Sequence, residues 1–192
     1  MSESTVDEQP REETDLIIRA IAGDKDAFGR LYDQYFAMIF RYLRFRCRNI
    51  QDAEDMTENV FIRAWEYLPT FKLRRGVNGF RAWLFRIAHN LRVDQIRKTN
   101  KDELVDTVPE NIGSSSRVEV ELMRTDTQKH ILRAIRSLDE RAQQVVIARF
   151  VSELTHKETA HMLNISPGNV RIIQYRALRK LKKFLERNEF DE

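Results

Sequence analysis

An all-α protein, with two small helical domains joined by a flexible linker, is predicted by three features of the sequence. Apolar residues recur at three- and four-residue spacing through most of the chain. Glycine and proline are scarce, 6 and 4 in 192 residues, so the punctuation that separates short strands is missing. The periodicity fades once, from Thr99 to about Thr125, where DTVPENIGSSSR has the composition of a linker. The expected layout is a disordered acidic N-terminus at 1–14, a first domain at 15–98, a linker at 99–126 and a second domain at 127–188.

The elements follow in order. Thr14 is a candidate cap for a short helix, Asp15 to Ala22, that Gly23 ends. A long helix carries Phe28, Leu31, Tyr32, Tyr35, Ile39, Tyr42, Leu43 and Arg46 along one stripe. A third helix runs from about Asp52 to Leu68, where Pro69 stops it, with Ala53, Met56, Val60, Ala64 and Leu68 inward. After the polar, basic loop TFKLRRGVN (70–78), a fourth helix covers about Gly79 to Lys98, with Phe80, Leu84, Ile87, Ala88 and Leu91 inward. In the second domain Ile131, Leu132, Ile135 and Leu138 mark one helix. Asp139 caps the next, with Ala142, Val145, Val146 and Phe150 inside.

Composition excludes several classes. A chain that is 42% hydrophobic and 33% charged suits a soluble helical protein. Cys47 is the single cysteine, which rules out an internal disulfide and suits a reducing compartment; its place in a helical pattern points to a structural role. There is no signal-peptide core and no apolar run of about 20 residues, so a cytoplasmic protein without membrane insertion is expected. The net charge of +3 says less than its distribution. Between Lys72 and Lys101 nine basic residues face Asp94 alone, and between Arg171 and Arg187 seven face Glu186 alone. Two basic blocks fit two contacts with a polyanion, or two solvated helical faces.

The strongest local signal is LTHKETAHMLNISPGNVRIIQYRALRKLKKFL. Thr155 and Glu158 form a capping-box pattern. Asn164 suits the left-handed turn residue, Ile165 the turn plug, Ser166 the next cap and Pro167 the first helical position. Ala160 permits close helix crossing, and Val170, Ile173, Ala177, Leu178 and Leu181 form the inner face of the second helix. This is a helix-turn-helix pattern, whose second helix enters the DNA major groove. The outward positions are Ser166, Gly168, Asn169, Arg171, Ile172, Tyr175, Arg176 and Arg179. Arg171 suits a guanine edge, a contact of about 1–3 kcal/mol, Asn169 suits adenine and Ile172 a thymine methyl. Gly168 lets the backbone approach a phosphate, and Arg176 and Arg179 suit phosphates.

The whole chain resembles the extracytoplasmic-function sigma factors, small members of the sigma-70 family. GDKDAFGRLYDQY, DAEDMTENVFIRAW and FRAWLFRIAHNLRVDQIRK resemble conserved regions 2.1 to 2.4, while IRSLDERAQQVVIARFV and the helix-turn-helix resemble region 4. The resemblance implies a signal-responsive factor that binds core RNA polymerase, through the β′ coiled coil and the β flap, and directs it to the −10 and −35 promoter elements. It makes Asp52, Glu54, Asp55, Glu58, Asn59, Phe61, Arg63 and Trp65 candidate polymerase contacts; relatives often have Gln-Glu where this chain has Glu58-Asn59. It assigns the −10 element to Lys72, Arg74, Arg75 and Asn78 on the loop and to Arg81, Arg86, Asn90, Asp94 and Arg97 on the fourth helix. Trp83 and Phe85 fit either base-stacking platforms or core, and helical spacing favours core. The helix-turn-helix falls to the −35 element, with Arg171-Ile172-Ile173 where many relatives have Lys-Ser-Arg. Many members are held inactive by an anti-sigma partner, which no residue here identifies.

Two other functional classes fit the sequence less well. A regulator that binds operators unaided shares the helix-turn-helix but not the DAEDMTENVFIRAW and FRAWLFRIAHN blocks. An enzyme is disfavoured, since no metal or nucleophile constellation stands out. His156 and His161, five apart, fall on different sides of a helix, and His89 and His130 have no evident partners. No catalytic residue, metal site or cofactor is expected.

Overall fold

The computed structural model describes residues 9–47, 49–73, 79–103, 131 and 133–188, and among these it contains helices and no strand. The N-terminal half is built from α1 (Gln9–Ile21), α2 (Lys25–Arg44), α3 (Ile50–Tyr67) and α4 (Gly79–Glu103). The C-terminal half has helical residues at 133–136, then α5 (Glu140–Val146), α6 (His156–Leu163) and α7 (Pro167–Asn188). A π-helical turn, Ile147–Val151, continues α5.

The helix ends follow from their capping groups. Gly23, at φ +93°, terminates α1, and the Asp24 carboxylate accepts from the Asp26 and Ala27 amides to start α2. Asn49 caps α3 through the Asp52 amide, and a 3₁₀ turn at Leu68–Thr70 with Pro69 in it ends that helix. Helix α1 begins well before the expected Asp15, so Thr14 lies inside it rather than at its cap, and residues 9–14 are helical. The cause is tertiary: Glu12 pairs with Arg30, and the Tyr35 hydroxyl donates to Glu13, which fastens the segment to α2. Residues 1–8 lie outside the described part.

The expected inward faces hold for α2 and α3, where Leu31, Tyr35, Ile39, Tyr42 and Leu43 meet Ala53, Met56, Val60, Ala64 and Leu68. Cys47 is buried and free, and burial pushes its thiol pKa up. On α4, Phe80, Leu84 and Ala88 are buried and Ile87 and Leu91 half-buried. In the C-terminal half Ile135, Leu138, Ala142, Val145 and Val146 are buried, Ile131 is exposed, and Leu132 lies outside the described residues.

Two inward assignments fail. Phe150 is 53% exposed because the π-helical turn inserts an extra residue and rotates the following positions, so that Ile147 and Ala148 take the core. Leu178 is 41% exposed, since Ala177 beside it occupies the contact line of α7. One contiguous cluster of buried residues runs through both halves, and it passes where α4 packs against α6 and α2 against the π-helical turn.

Candidate nucleic-acid and polymerase interfaces

The helix-turn-helix has the local geometry its sequence demands. Thr155 Oγ1 accepts from the Glu158 amide at 3.2 Å, and the Glu158 carboxylate accepts from the Thr155 amide at 2.6 Å. Asn164 adopts the left-handed conformation, φ 53° and ψ 49°, and the Ile165 amide closes the turn on Ala160 O. Ser166 Oγ accepts from the Asn169 amide at 3.1 Å and starts α7. Ala160 is buried between the helices, as are Val170 and Ala177, while Ile173 and Leu181 are half-buried.

Ser166, Gly168, Asn169, Arg171, Ile172, Tyr175, Arg176 and Arg179 are all exposed on α7. The Arg179 guanidinium lies 5.9 Å over the Tyr175 ring, which holds its orientation. Arg149 donates to Gln174 Oε1 at 3.2 Å, so the π-helical turn braces α7 from behind. His156 sits close enough to Arg149 and Arg171 that burial and their charges together lower its pKa, offset in part by a hydrogen bond with Gln174. Lys180, by contrast, is 3.3 Å from Asp139 and serves the C-terminal half internally.

On α4, Arg86, Asn90, Asp94 and Arg97 are exposed, and Lys72 is exposed on the segment before it. Arg74, Arg75 and Asn78 lie outside the described residues. Arg81 is only half-buried, but its guanidinium is engaged elsewhere: Nη2 donates to Ser152 O at 2.7 Å, across the boundary to the C-terminal half. Phe85 is fully buried, edge-on to Tyr42 at 5.4 Å, so it is core; Trp83 is half-buried and packs against that core beside Phe71 and Phe80 at 4.9 and 5.5 Å. His89, for which the sequence offered no partner, meets the Tyr42 hydroxyl at 3.4 Å through Nδ1.

The α3 residues split by depth. Asp55, Glu58, Asn59 and Arg63 are exposed, Asp52, Glu54 and Trp65 half-buried, and Phe61 buried. Phe61 packs on Tyr32 at 4.6 Å and Trp65 on Phe28 at 5.0 Å. Around them α2 and α3 form a shallow apolar hollow lined by Phe28, Tyr32, Phe61, Ile62 and Trp65, with Glu58 and Glu66 at its rim. Ile62, 57% exposed, is the member that sequence reasoning passed over. Its signal was an apolar residue off the buried stripe of its own helix. Burial, Glu58 and Asp33 together raise the Tyr32 pKa, which marks the negative character of this rim.

The model of Sigma-70 region 2 matches residues 31–102, and that of Sigma-70, region 4 matches residues 134–183. The ECF RNA polymerase sigma factor SigW of Bacillus subtilis is 30% identical over 173 residues, spanning 85% of this chain and 91% of SigW. The chain belongs to the ECF RNA polymerase sigma factors of the sigma-70 family. The ECF sigma factor BldN of Streptomyces coelicolor is 35% identical over 174 residues, 89% of this chain and 65% of BldN. A solved structure of CnrH in complex with the cytosolic domain of CnrY shares the fold, with a TM-score of 0.71 and 24% identity over 91% of this chain and 97% of that one. Sigma factors bind core RNA polymerase and promoter DNA, and these comparisons make the protein one that directs promoter recognition in transcription initiation. Among the described residues no His, Cys, Asp and Glu cluster in a way that would hold a metal ion, and no helix is long and apolar enough to cross a membrane.

Proposed function

We propose that this sigma factor divides its work among three surfaces. The acidic-rimmed hollow of α3 and α2 docks on the β′ coiled coil of core polymerase, with Ile62 and Trp65 as apolar anchors and Asp55, Glu58, Asn59 and Arg63 around them. The loop before α4 and the exposed face of that helix receive the −10 element, the basic residues holding backbone while the non-template strand is unstacked. Helix α7 enters the major groove of the −35 element with its N-terminal end foremost. There Arg171 and Asn169 read base edges and Arg176 and Arg179 hold phosphates. The C-terminal half also meets the β flap. The first domain comprises α1 to α4, five residues longer at its C-terminal end than the expected boundary at 98, and the second runs from the helical residues at 133–136 through α7. The protein acts by binding alone, in the cytoplasm, where its targets are. RpoE of Bartonella quintana was solved with the anti-sigma factor NepR, and an anti-sigma factor answering a stress signal is the regulatory partner we assign here as well.

The observation that carries this reading is the outward basic face of α7 on a fully capped helix-turn-helix. The test pairs two substitutions. Arg171→Ala lowers run-off transcription from the cognate promoter by about 5- to 150-fold, as loss of about 1–3 kcal/mol of base contact implies, and leaves polymerase capture intact. Asp55→Arg does the reverse, lowering recovery of core polymerase in pull-down. Unchanged transcription with the first, or undiminished recovery with the second, removes the corresponding surface.

A further inference from the structure

The contact between the two halves is polar where it matters most. The Arg81 side chain, 18% exposed, reaches from α4 to α6 and its approach: Nη2 donates to Ser152 O, and Nη1 lies 3.9 Å from Glu158 Oε1. Glu158 is 4% exposed in its side chain, and its second oxygen is already spent on the Thr155 amide. The oxygen that faces Arg81 makes no hydrogen bond. A second cross-pair, Arg46 with Glu140, is also long at 3.9 Å. Side-chain atoms buried without a hydrogen bond within the protein include Arg81 Nε, Arg46 Nε, Arg44 Nε, Gln144 Oε1, Ser152 Oγ, Glu158 Oε1 and Thr159 Oγ1. Of these, Arg81, Glu158, Ser152 and Arg46 belong to the cross-seam contacts themselves. An unsatisfied polar atom buried at such a contact costs free energy that a fully paired one does not. A seam built to part regains that hydration each time it opens.

Distance sharpens the point. Elements named −10 and −35 lie about 25 base pairs apart, or about 85 Å along a duplex at 3.4 Å per pair. Helix α4 has 25 residues and α7 has 22, so neither is longer than about 38 Å at 1.5 Å per residue. With α4 packed on α6, and α6 joined to α7 by a turn, the closed chain cannot place α4 and α7 on both elements at once.

We propose that Arg81 is the latch of a closed resting state. Its guanidinium, held by Ser152 O and the Glu158 carboxylate, keeps the two DNA-reading halves together until polymerase binding separates them. This rests on the reading that α4 and α7 serve the two promoter elements. Opening then does two things with one side chain: it lets the halves reach their separate sites, and it frees Arg81 for a phosphate.

The test uses the full chain with donor and acceptor dyes on Gln34→Cys and Lys183→Cys in a Cys47→Ser background, read by single-molecule energy transfer. Transfer is high in the free protein and falls when core polymerase is added. Arg81→Glu, which sets two carboxylates against each other, gives low transfer without polymerase. Glu158→Gln removes the charge but can still accept from the Thr155 amide, so it loosens the seam while sparing the helix cap. If the closed state holds about 90% of molecules, loosening it raises apparent affinity for core polymerase by up to about tenfold. Unchanged transfer in Glu158→Gln and in a folded Arg81→Glu, judged by circular dichroism, overturns the latch. So does a wild-type chain that directs run-off transcription with no fall in transfer; in that case the promoter reading stands. A wild-type chain that never associates with core polymerase removes that reading instead, and the latch with it.

Discussion

His89 shows how much a single half-buried side chain is asked to do. It lies on α4 against Tyr42 of α2, in the core of the N-terminal half. Burial, with the positive charges of Arg46 and Arg141 in support, lowers its pKa from 6.5 to about 4. The neutral ring is therefore the form that folds. Above pH 6.5 it is neutral in both folded and unfolded chains and contributes no pH dependence. As pH falls from 6.5 toward 4 the unfolded chain takes up a proton that the folded chain refuses, so stability declines across that window and levels off below it. Asp24 and Asp139 have lowered pKa values too, chiefly through backbone hydrogen bonds from Ala27 and Ala142, so their loss comes only at lower pH. His156 shifts in the same direction as His89 but is more exposed and adds less. The expected outcome is a urea midpoint that drops between pH 7.5 and pH 5 in the wild type and much less in His89→Gln. Equal drops in the two proteins would place the titration elsewhere.

At the scale of elements, helices reveal themselves through period and caps, and they hide what covers them. The cap of α5, the capping box of α6, the left-handed Asn164 and the Ser166 cap of α7 were all legible, because each is a bond between a side chain and backbone within three residues or a local turn. The outward face of α7 was legible for the same reason: 3.6-residue periodicity fixes one side once the other is known. The early start of α1 was not, since it depends on Arg30 and Tyr35 of another helix. Phe150 was misplaced because a π-helical turn breaks the very period used to place it. Phe85 and Trp83 sit between two roles that sequence cannot separate, a base platform and a core ring. Phe85→Ala decides for the first of them. As a core residue wedged on Tyr42 it should cost about 3–5 kcal/mol in denaturant-measured stability. A residue reserved for stacking on DNA would leave stability unchanged while lowering promoter opening.

For the whole molecule, the question is whether two domains or one cooperative unit unfolds. Local sequence shows two helical blocks and a linker, and nothing in it foretells that α4 lies on α6, because the residues at that seam are ordinary helix-face residues until their partners are known. The buried cluster continues through the seam, which couples the halves. The polar atoms left unpaired there weaken the coupling, and Arg81 holds what remains. Both tryptophans, Trp65 and Trp83, belong to the N-terminal half, so their fluorescence reports that half alone, while far-ultraviolet circular dichroism reports all helices. If the closed state governs the free protein, the two probes trace one coincident urea transition in the wild type. In Arg81→Glu the coupling is lost and the halves unfold at their own midpoints, so the fluorescence curve separates from the dichroism curve. Coincidence that persists in that variant would mean that apolar packing alone joins the halves and that the guanidinium contributes nothing to holding them closed.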